Sequence, residues 1–343
     1  MKRMLNTLYV MTQSSYIHKD GEALVVRVET EDKVKIPIIT IKAVICFGNV
    51  LVTPGALELC TENDVTVTYL SYYGRFMARI QGRVSGNVLL RKEQYRMSDD
   101  IIQSARIARN IVSAKVHNSR LVLSRGIRDH GDKIEVESIE KTVAYLKRVS
   151  ENVLEESDLD KIRGIEGEAA KEYFSHFNAL ITNQKSDFFF IDRNRRPPRD
   201  RINALLSLTY TLLYHDMRSA CEMVGLDPAV GFLHRDRPGR YGLALDLMEE
   251  FRSFIADRLV LSLVNLKQVS GNQFDVSESG AVLMDDDARK ILLGAYQKKK
   301  QDSLTHFFLD EEMHIGLMFH AQAVLFARFL RGDIDEYPAY MWR

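Results

Sequence analysis

The hydrophobic period of this chain changes once, near residue 86, and that change limits the folds open to it. Before it, short β-rich runs alternate with turn residues: Leu5–Val10, Ala23–Glu29, Val34–Ile38, Ala43–Cys46, Val65–Leu70 and Arg75–Arg83. Asp20-Gly21 reads as a hairpin turn between the first two runs. Thr53-Pro54, a capping residue followed by proline at the first helical position, opens a helical insert that ends near Asn63-Asp64. After Gly86, apolar residues recur at helical spacing: Val88, Leu89, Ile101, Ile102, Ile107, Ala108, Ile111 and Val112. Further helices are predicted over 136–153, 159–177, 201–224, 243–265, 289–299 and 314–330. Strands first and helices afterwards make a segregated α+β protein: a β-sandwich-like N-terminal domain, 1–86, followed by an all-α catalytic domain, 87–343.

Composition removes several function classes. No apolar run approaches the ~20 residues of a membrane helix. Met1-Lys2-Arg3 resembles the start of a signal segment, but Asn6 and Thr7 interrupt Leu5–Met11 and no small-residue cleavage site follows. Cys46, Cys60 and Cys221 are odd in number, far apart and without a C-x-x-C. They read as reduced, buried thiols of a cytoplasmic protein. Lys+Arg and Asp+Glu are 47 each, which excludes a wholly basic nucleic-acid coat and an acidic tail. The charge is nevertheless segregated. Residues 75–128 carry twelve bases against three acids, 129–160 ten acids against four bases, and 193–201 five arginines. Two basic segments can focus positive potential on one surface, with phosphate as the natural partner. Solvated helical faces balanced by acidic neighbours explain the same pattern.

No Walker loop, G-x-G-x-x-G, H-E-x-x-H or G-x-S-x-G is present, which argues against four common enzyme classes. The most informative segment runs from Gly231 through His234 and Arg240 to Arg252. A loop with His, Pro and Gly enters an amphipathic helix in which Asp246 and Glu249, three apart, share a face. Glu250 is expected on the outer face. Two carboxylates and a histidine can hold Mg²⁺ or Mn²⁺. Acids in the first turns of a helix also simply suit its dipole. A second segment places Glu166 between Gly164 and Gly167 inside a predicted helix. Each glycine costs up to ~1 kcal/mol there, which suggests close approach of a backbone or a ligand.

Four segments then occur in order. They are Gly164-Ile165-Glu166-Gly167-Glu168-Ala169-Ala170-Lys171-Glu172-Tyr173-Phe174, Arg201-Ile202-Asn203-Ala204-Leu205-Leu206, Gly225-Leu226-Asp227-Pro228-Ala229-Val230-Gly231-Phe232-Leu233-His234 and Leu245-Asp246-Leu247-Met248-Glu249-Glu250-Phe251-Arg252. Together with the β-then-α layout they resemble the CRISPR-associated spacer-acquisition integrase family over essentially the whole chain. The start, Leu5-Asn6-Thr7-Leu8-Tyr9-Val10, and the tail, Tyr337-Pro338-Ala339-Tyr340-Met341-Trp342, look most like its type I-C members.

The resemblance implies a homodimer with an N-terminal β-domain and a helical catalytic domain. It implies one divalent cation, Mg²⁺ or Mn²⁺, held by Glu166, His234 and Glu249, with Asp246 as a second acid close to the metal. Some members have Asp at the Glu249 position. Arg163, Lys171, Tyr214 and Arg252 match DNA-contacting positions, and Arg240 is a candidate for the reacting phosphate. The implied reaction is integration of short duplex DNA, the prespacer, into the CRISPR repeat by 3′-OH transesterification, with endonuclease activity when water replaces the hydroxyl. The implied partners are double-stranded DNA, a small ferredoxin-like companion protein in a heterohexamer, and a RecB-like nuclease. The arginine-rich loop 193–201 and the basic window 75–128 would hold DNA backbone. The apolar tail is either a partner contact or folds back on its own core. The competing readings are a non-catalytic DNA-binding scaffold and a branched-DNA repair nuclease. Convergence of Glu166, His234 and Glu249 on one point separates enzyme from scaffold.

Overall fold

The computed structural model describes residues 7–41, 43–72, 76–80, 82, 88–194 and 197–343. Outside them lie Met1-Lys2-Arg3 and the start of the first predicted strand, Arg75 and Arg83 of the last, and Arg195 and Arg196 of the arginine loop. By its internal contacts the chain divides into two units. One takes in Met1–Gly86, Lys300–Asp302 and His314–Leu317, and the other holds the remainder.

Among the described residues the first unit has two four-stranded sheets. Strands β1 (Thr7–Val10), β5 (Ala43–Phe47), β7 (Thr66–Leu70) and β8 (Phe76–Ile80) form one, in that order. β4 (Glu31–Pro37), β3 (Ala23–Val28), β2 (Ser15–Asp20) and β6 (Val50–Val52) form the other. Ile17 and Leu24 from one sheet and Val44, Cys46 and Val67 from the other share a core with Ala56, Leu59 and Cys60 of helix α1 (Pro54–Glu62). α1 starts where the sequence predicts, with the Thr53 side chain accepting from Ala56 N at 3.2 Å.

The Asp20-Gly21 turn joins β2 to β3, not β1 to β3, and β1 pairs in parallel with β5. β2 escapes the sequence reading because its alternation is carried by only two buried residues, Ser15 and Ile17, among polar ones. The three cysteines are free and buried, as expected.

The second unit is organised on α3 (Ile101–His130), the 30-residue helix that follows α2 (Val88–Asp99). Asp100 caps α3 by accepting from Ile102 N at 2.8 Å and Gln103 N at 3.2 Å. Helices α4 (Val136–Asn152), α5 (Leu159–Ser175) and α7 (Gly242–Phe251) all pack on α3, and α6 (Arg201–Met223) packs on α7. A π-helical turn, Arg252–Asp257, joins α7 to α8 (Arg258–Asn265). α9 (Asp286–Gln301) and α10 (Ile315–Leu330) complete the helices described. Two short ribbons, β9 (Phe274–Val276) with β10 (Val282–Met284) and β11 (Ser303–His306) with β12 (Glu311–His314), add strands to a region read from sequence as helical throughout.

The tail folds back on its own core. Tyr340 stacks on Phe251 at 5.3 Å and Trp342 on Phe254 at 5.7 Å between ring centroids. The Asn118 side chain donates to Glu250 O and Tyr340 O at 2.7 and 2.9 Å and accepts from Trp342 N at 2.7 Å. No helix among the described residues is long and apolar enough to cross a membrane.

Candidate active site

Helices α3, α5 and α7 and the loop before α7 bring the predicted residues together. That loop lies directly on the N-terminus of α7: Gly242 N donates to Ala229 O at 3.0 Å. A Cβ on Gly231 would stand 2.6 Å from Gly242 C and 2.9 Å from Asp246 Oδ2, so only glycine permits this approach. At Gly164 and Gly167 the expected close approach is not made by another backbone. A Cβ on either meets nothing within 4 Å, so no backbone crosses there and the face of α5 beside Glu166 is open.

Asp246, wholly buried, organises the loop. Its Oδ2 accepts from Phe232 N at 2.6 Å and Leu233 N at 3.1 Å. Its Oδ1 accepts from His234 N at 3.0 Å and lies 2.6 Å from His234 Nδ1. A carboxylate only accepts, so Nδ1 carries the proton. The other ring nitrogen, Nε2, lies 4.0 Å from Glu249 Oε1. Asp246 thus aims the imidazole, the part a carboxylate plays behind a ligating histidine. Arg163, read from sequence as a DNA contact, braces the same loop: Nε donates to Leu233 O at 2.6 Å and Nη1 to Asp160 at 2.8 Å.

Glu166 and Glu249 meet across a residue that the sequence reading did not single out. Lys115 on α3 pairs with Glu166 Oε1, and its Nζ lies 2.7 Å from Glu249 Oε2. Glu249 Oε1 accepts from Arg252 Nη1 at 2.7 Å. Burial alone would raise the Glu249 carboxyl, but Arg252 and Lys115 outweigh it and hold the group well below the usual carboxylate range. Arg252 in turn stacks on the Tyr210 ring at 4.4 Å. Its guanidinium is therefore engaged by Glu249 and Tyr210. Asp257 closes the π-helical turn, accepting from Tyr173 and Tyr210 hydroxyls at 2.9 and 2.5 Å.

Glu250 is a correction. Expected on the outer face of α7, it is wholly buried, accepting from Tyr337 Oη at 2.5 Å, Gln322 Nε2 at 2.7 Å and Tyr340 N at 2.7 Å. The returning tail covers the face that a lone amphipathic helix would leave to solvent. Burial raises the Glu250 carboxyl to about 7 despite those three donors.

Glu166 and Lys115 also border a cavity of about 520 Å³ lined by Lys171, Arg193, Tyr210 and Arg252 among others. Lys171 is exposed at its edge. Arg193 is half-buried and engaged: it donates to Asn203 Oδ1 at 2.6 Å and Ser207 Oγ at 3.1 Å, and stacks over Tyr210 at 5.1 Å. Arg201 donates to the carbonyls of Asp187 and Gly271 at 2.7 and 3.1 Å. These two arginines hold the loop together rather than presenting it to a ligand. Tyr214 packs against Tyr241, with ring centroids 6.4 Å apart. Arg240 forms no ion pair with Asp236 among the described residues.

As the side chains stand, no three acids, imidazoles or thiolates among the described residues are disposed to hold a metal ion. The place between the two carboxylates is held by an ammonium, a stand-in cation. The donor set itself, two carboxylates and an imidazole whose Nε2 lies 4.0 Å from one of them, suits a hard to borderline divalent ion.

The family model described as "CRISPR associated protein Cas1" matches residues 8–298. The chain is 50% identical over its full 343 residues to the "CRISPR-associated endonuclease Cas1 1" of Chlorobaculum tepidum, all of which is covered. Among solved structures, a casposase bound to its integration product superposes with TM-score 0.82 at 24% identity, covering 98% of this chain and 94% of that one. A chain of a Cas6-RT-Cas1–Cas2 complex gives TM-score 0.82 at 23% identity, covering 100% of this chain and 36% of its own length. With the loop–helix geometry around Glu166, His234 and Glu249 and a match along the whole sequence, this chain belongs to the CRISPR-associated Cas1 family.

Proposed function

We propose that this chain is a metal-dependent DNA integrase of CRISPR adaptation, with endonuclease activity at the same centre. One observation carries the reading: Glu166 and Glu249 share a single cation position, and Nε2 of His234 is 4.0 Å from Glu249. A non-catalytic scaffold has no need to gather these groups around one buried positive charge. The naming of the Chlorobaculum relative as an endonuclease supports a nuclease, and the casposase neighbour supports integration chemistry.

In the proposed reaction a DNA 3′-OH attacks a phosphate of the CRISPR repeat. A new phosphorus–oxygen bond forms to the incoming 3′ oxygen, the original ester bond breaks, and the displaced strand leaves with a free 3′-OH. With water in place of the hydroxyl, the same exchange is hydrolysis. Glu166, His234 and Glu249 would hold Mg²⁺ or Mn²⁺, which supplies Lewis acidity at a phosphate oxygen. Asp246 fixes the imidazole and its tautomer. Arg252 keeps Glu249 ionised. Lys171 at the cavity edge contributes sequence-independent contact with the DNA backbone, and Arg240 is the further candidate for that contact.

The assembly belongs to the same reading: a homodimer built through the N-terminal β-domain, joined by a small ferredoxin-like companion and, in a type I-C system, by a RecB-like nuclease. The solved complex containing Cas1 and Cas2 supports the companion.

Strand transfer of a labelled short duplex into a repeat-bearing plasmid, with Mn²⁺ and the companion protein, tests the proposal. Wild type should give product and His234→Ala none. Equal product from both would remove the metal-centred site. Tight DNA binding without product from wild type would favour the scaffold.

A further inference from the structure

Four charged groups meet at this centre and cancel: the carboxylates of Glu166 and Glu249, the ammonium of Lys115 and the guanidinium of Arg252. A divalent cation entering beside them would leave two excess positive charges in contact with the same oxygens, an arrangement strongly opposed at short range in a buried site. One resident cation must therefore leave. Arg252 is fixed. It lies three residues from Glu249, with its guanidinium stacked on Tyr210 at 4.4 Å. Lys115 is a point charge on a four-carbon stem. Like Arg252, it borders the 520 Å³ cavity that Lys171 and Arg193 line.

We propose that Lys115 is the resident cation of this centre, holding between Glu166 and Glu249 the place that a divalent ion takes, and that its displacement into the adjoining cavity couples metal loading to DNA binding. The inference rests on the metal-centred reading above. Displaced, the ammonium joins exposed Lys171 at a cavity that Glu166, Asp192 and Asp257 also line, and adds a cation there for a DNA phosphate to meet. DNA thus favours the displaced state, and by linkage metal and DNA strengthen each other's binding by one factor. Without DNA, the lysine keeps the two carboxylates neutralised and opposes metal uptake.

The test is calorimetric titration of Mn²⁺ into the metal-free full chain, alone and with a short duplex whose 3′ ends are deoxy, so that no strand transfer follows. Mn²⁺ binding by the duplex alone is subtracted. Wild type should bind Mn²⁺ more tightly with DNA by a factor of roughly 5–150. Lys115→Met should bind Mn²⁺ about tenfold more tightly than wild type without DNA, and DNA should then add little. Metal-free Lys115→Met should melt below wild type and recover when Mn²⁺ is added. Lys115→Arg keeps a cation whose fork can engage both carboxylates, so its DNA-free affinity should fall below wild type. It decides the matter if the methionine variant does not fold. Equal or weaker DNA-free binding by Lys115→Met, undiminished coupling in that variant, or tighter binding by Lys115→Arg would overturn the proposal. No Mn²⁺ uptake by wild type, with or without DNA, would instead remove the metal-centred reading itself.

Discussion

Asp246 holds His234 twice with one oxygen: Oδ1 accepts from the backbone nitrogen at 3.0 Å and lies 2.6 Å from ring Nδ1. The other oxygen takes Phe232 N and Leu233 N. The imidazole is therefore held by a single buried carboxylate, which also fixes the loop on one side while Arg163 braces it at Leu233 O.

Asp246→Asn should expose that dependence. An amide has one acceptor oxygen, so its NH₂ must face a donor wherever it is placed among these four partners. We expect metal-dependent strand transfer to fall about 10–100-fold, with a loss of about 1–3 kcal/mol in stability from the unsatisfied donors. Urea unfolding and strand transfer on the same preparation check both. An Asp246→Asn chain with wild-type turnover would show that the ring is aimed by something else.

The glycines separate into two kinds. Gly231→Ala drives a Cβ to 2.6 Å from backbone of Gly242 and should cost about 1–3 kcal/mol or more, with activity lost alongside. Gly164→Ala meets nothing within 4 Å and should stabilise α5 by up to about 1 kcal/mol. Comparing unfolding midpoints of the two variants is sufficient. Similar shifts would mean that the loop can yield where the structure has it tight.

That contrast marks what the sequence could disclose. Periodicity located α4, α5, α6 and α10 within a few residues, because α4 and α5 each bury one face and α6 and α10 carry long apolar runs buried nearly all round. It placed Glu250 outside, because the spacing of one helix cannot reveal that Tyr337 and Tyr340 return to cover its second face. Glycine inside a helix suggests close approach of a backbone or a ligand at 164 and 167, but the backbone approach is between Gly231 in a loop and Gly242 at the first turn of α7, where glycine is commonplace. Glu166, His234 and Glu249 were legible through family resemblance and their chemistry. Lys115 was not. On α3 it is one basic residue among many, and only the fold brings it to Glu166, 51 residues away.

The basic residues should divide by a salt titration. Removing one phosphate-binding side chain lowers the slope of log affinity against log salt by roughly 0.9 for duplex DNA. Lys171 is exposed at the cavity edge, so Lys171→Ala should weaken DNA binding, reduce the slope by about one and leave the melting temperature unchanged. Arg201 is tied to the carbonyls of Asp187 and Gly271, so Arg201→Ala should lower the melting temperature and keep the slope. The opposite assignment would return the arginine loop to the DNA interface.

Asp257 sets a pH dependence whose sign can be worked out. Burial raises its carboxyl to about 6, although the hydroxyls of Tyr210 and Tyr173 and the charge of Arg252 favour ionisation. Against an ordinary value of 3.8, the folded chain binds a proton that the unfolded chain has lost. The stability this contributes is fully present below the unfolded value and is lost as pH rises through about 6. About two pH units of displacement correspond to roughly 3 kcal/mol. Glu250, raised to about 7, adds to the same slope, whereas Glu249 is held low and loses its contribution only in acid. Asp257→Asn imitates the protonated acid. We expect it to exceed wild type in urea unfolding by about twice as much near pH 7.5 as near pH 5, and to flatten the decline between them without abolishing it. If the variant is instead the less stable at pH 7.5, the ionised carboxylate is contributing to the fold through the two tyrosines and Arg252. If it is the more stable but transfers strands more slowly, the buried charge beside the π-helical turn is retained for the site at a cost in stability.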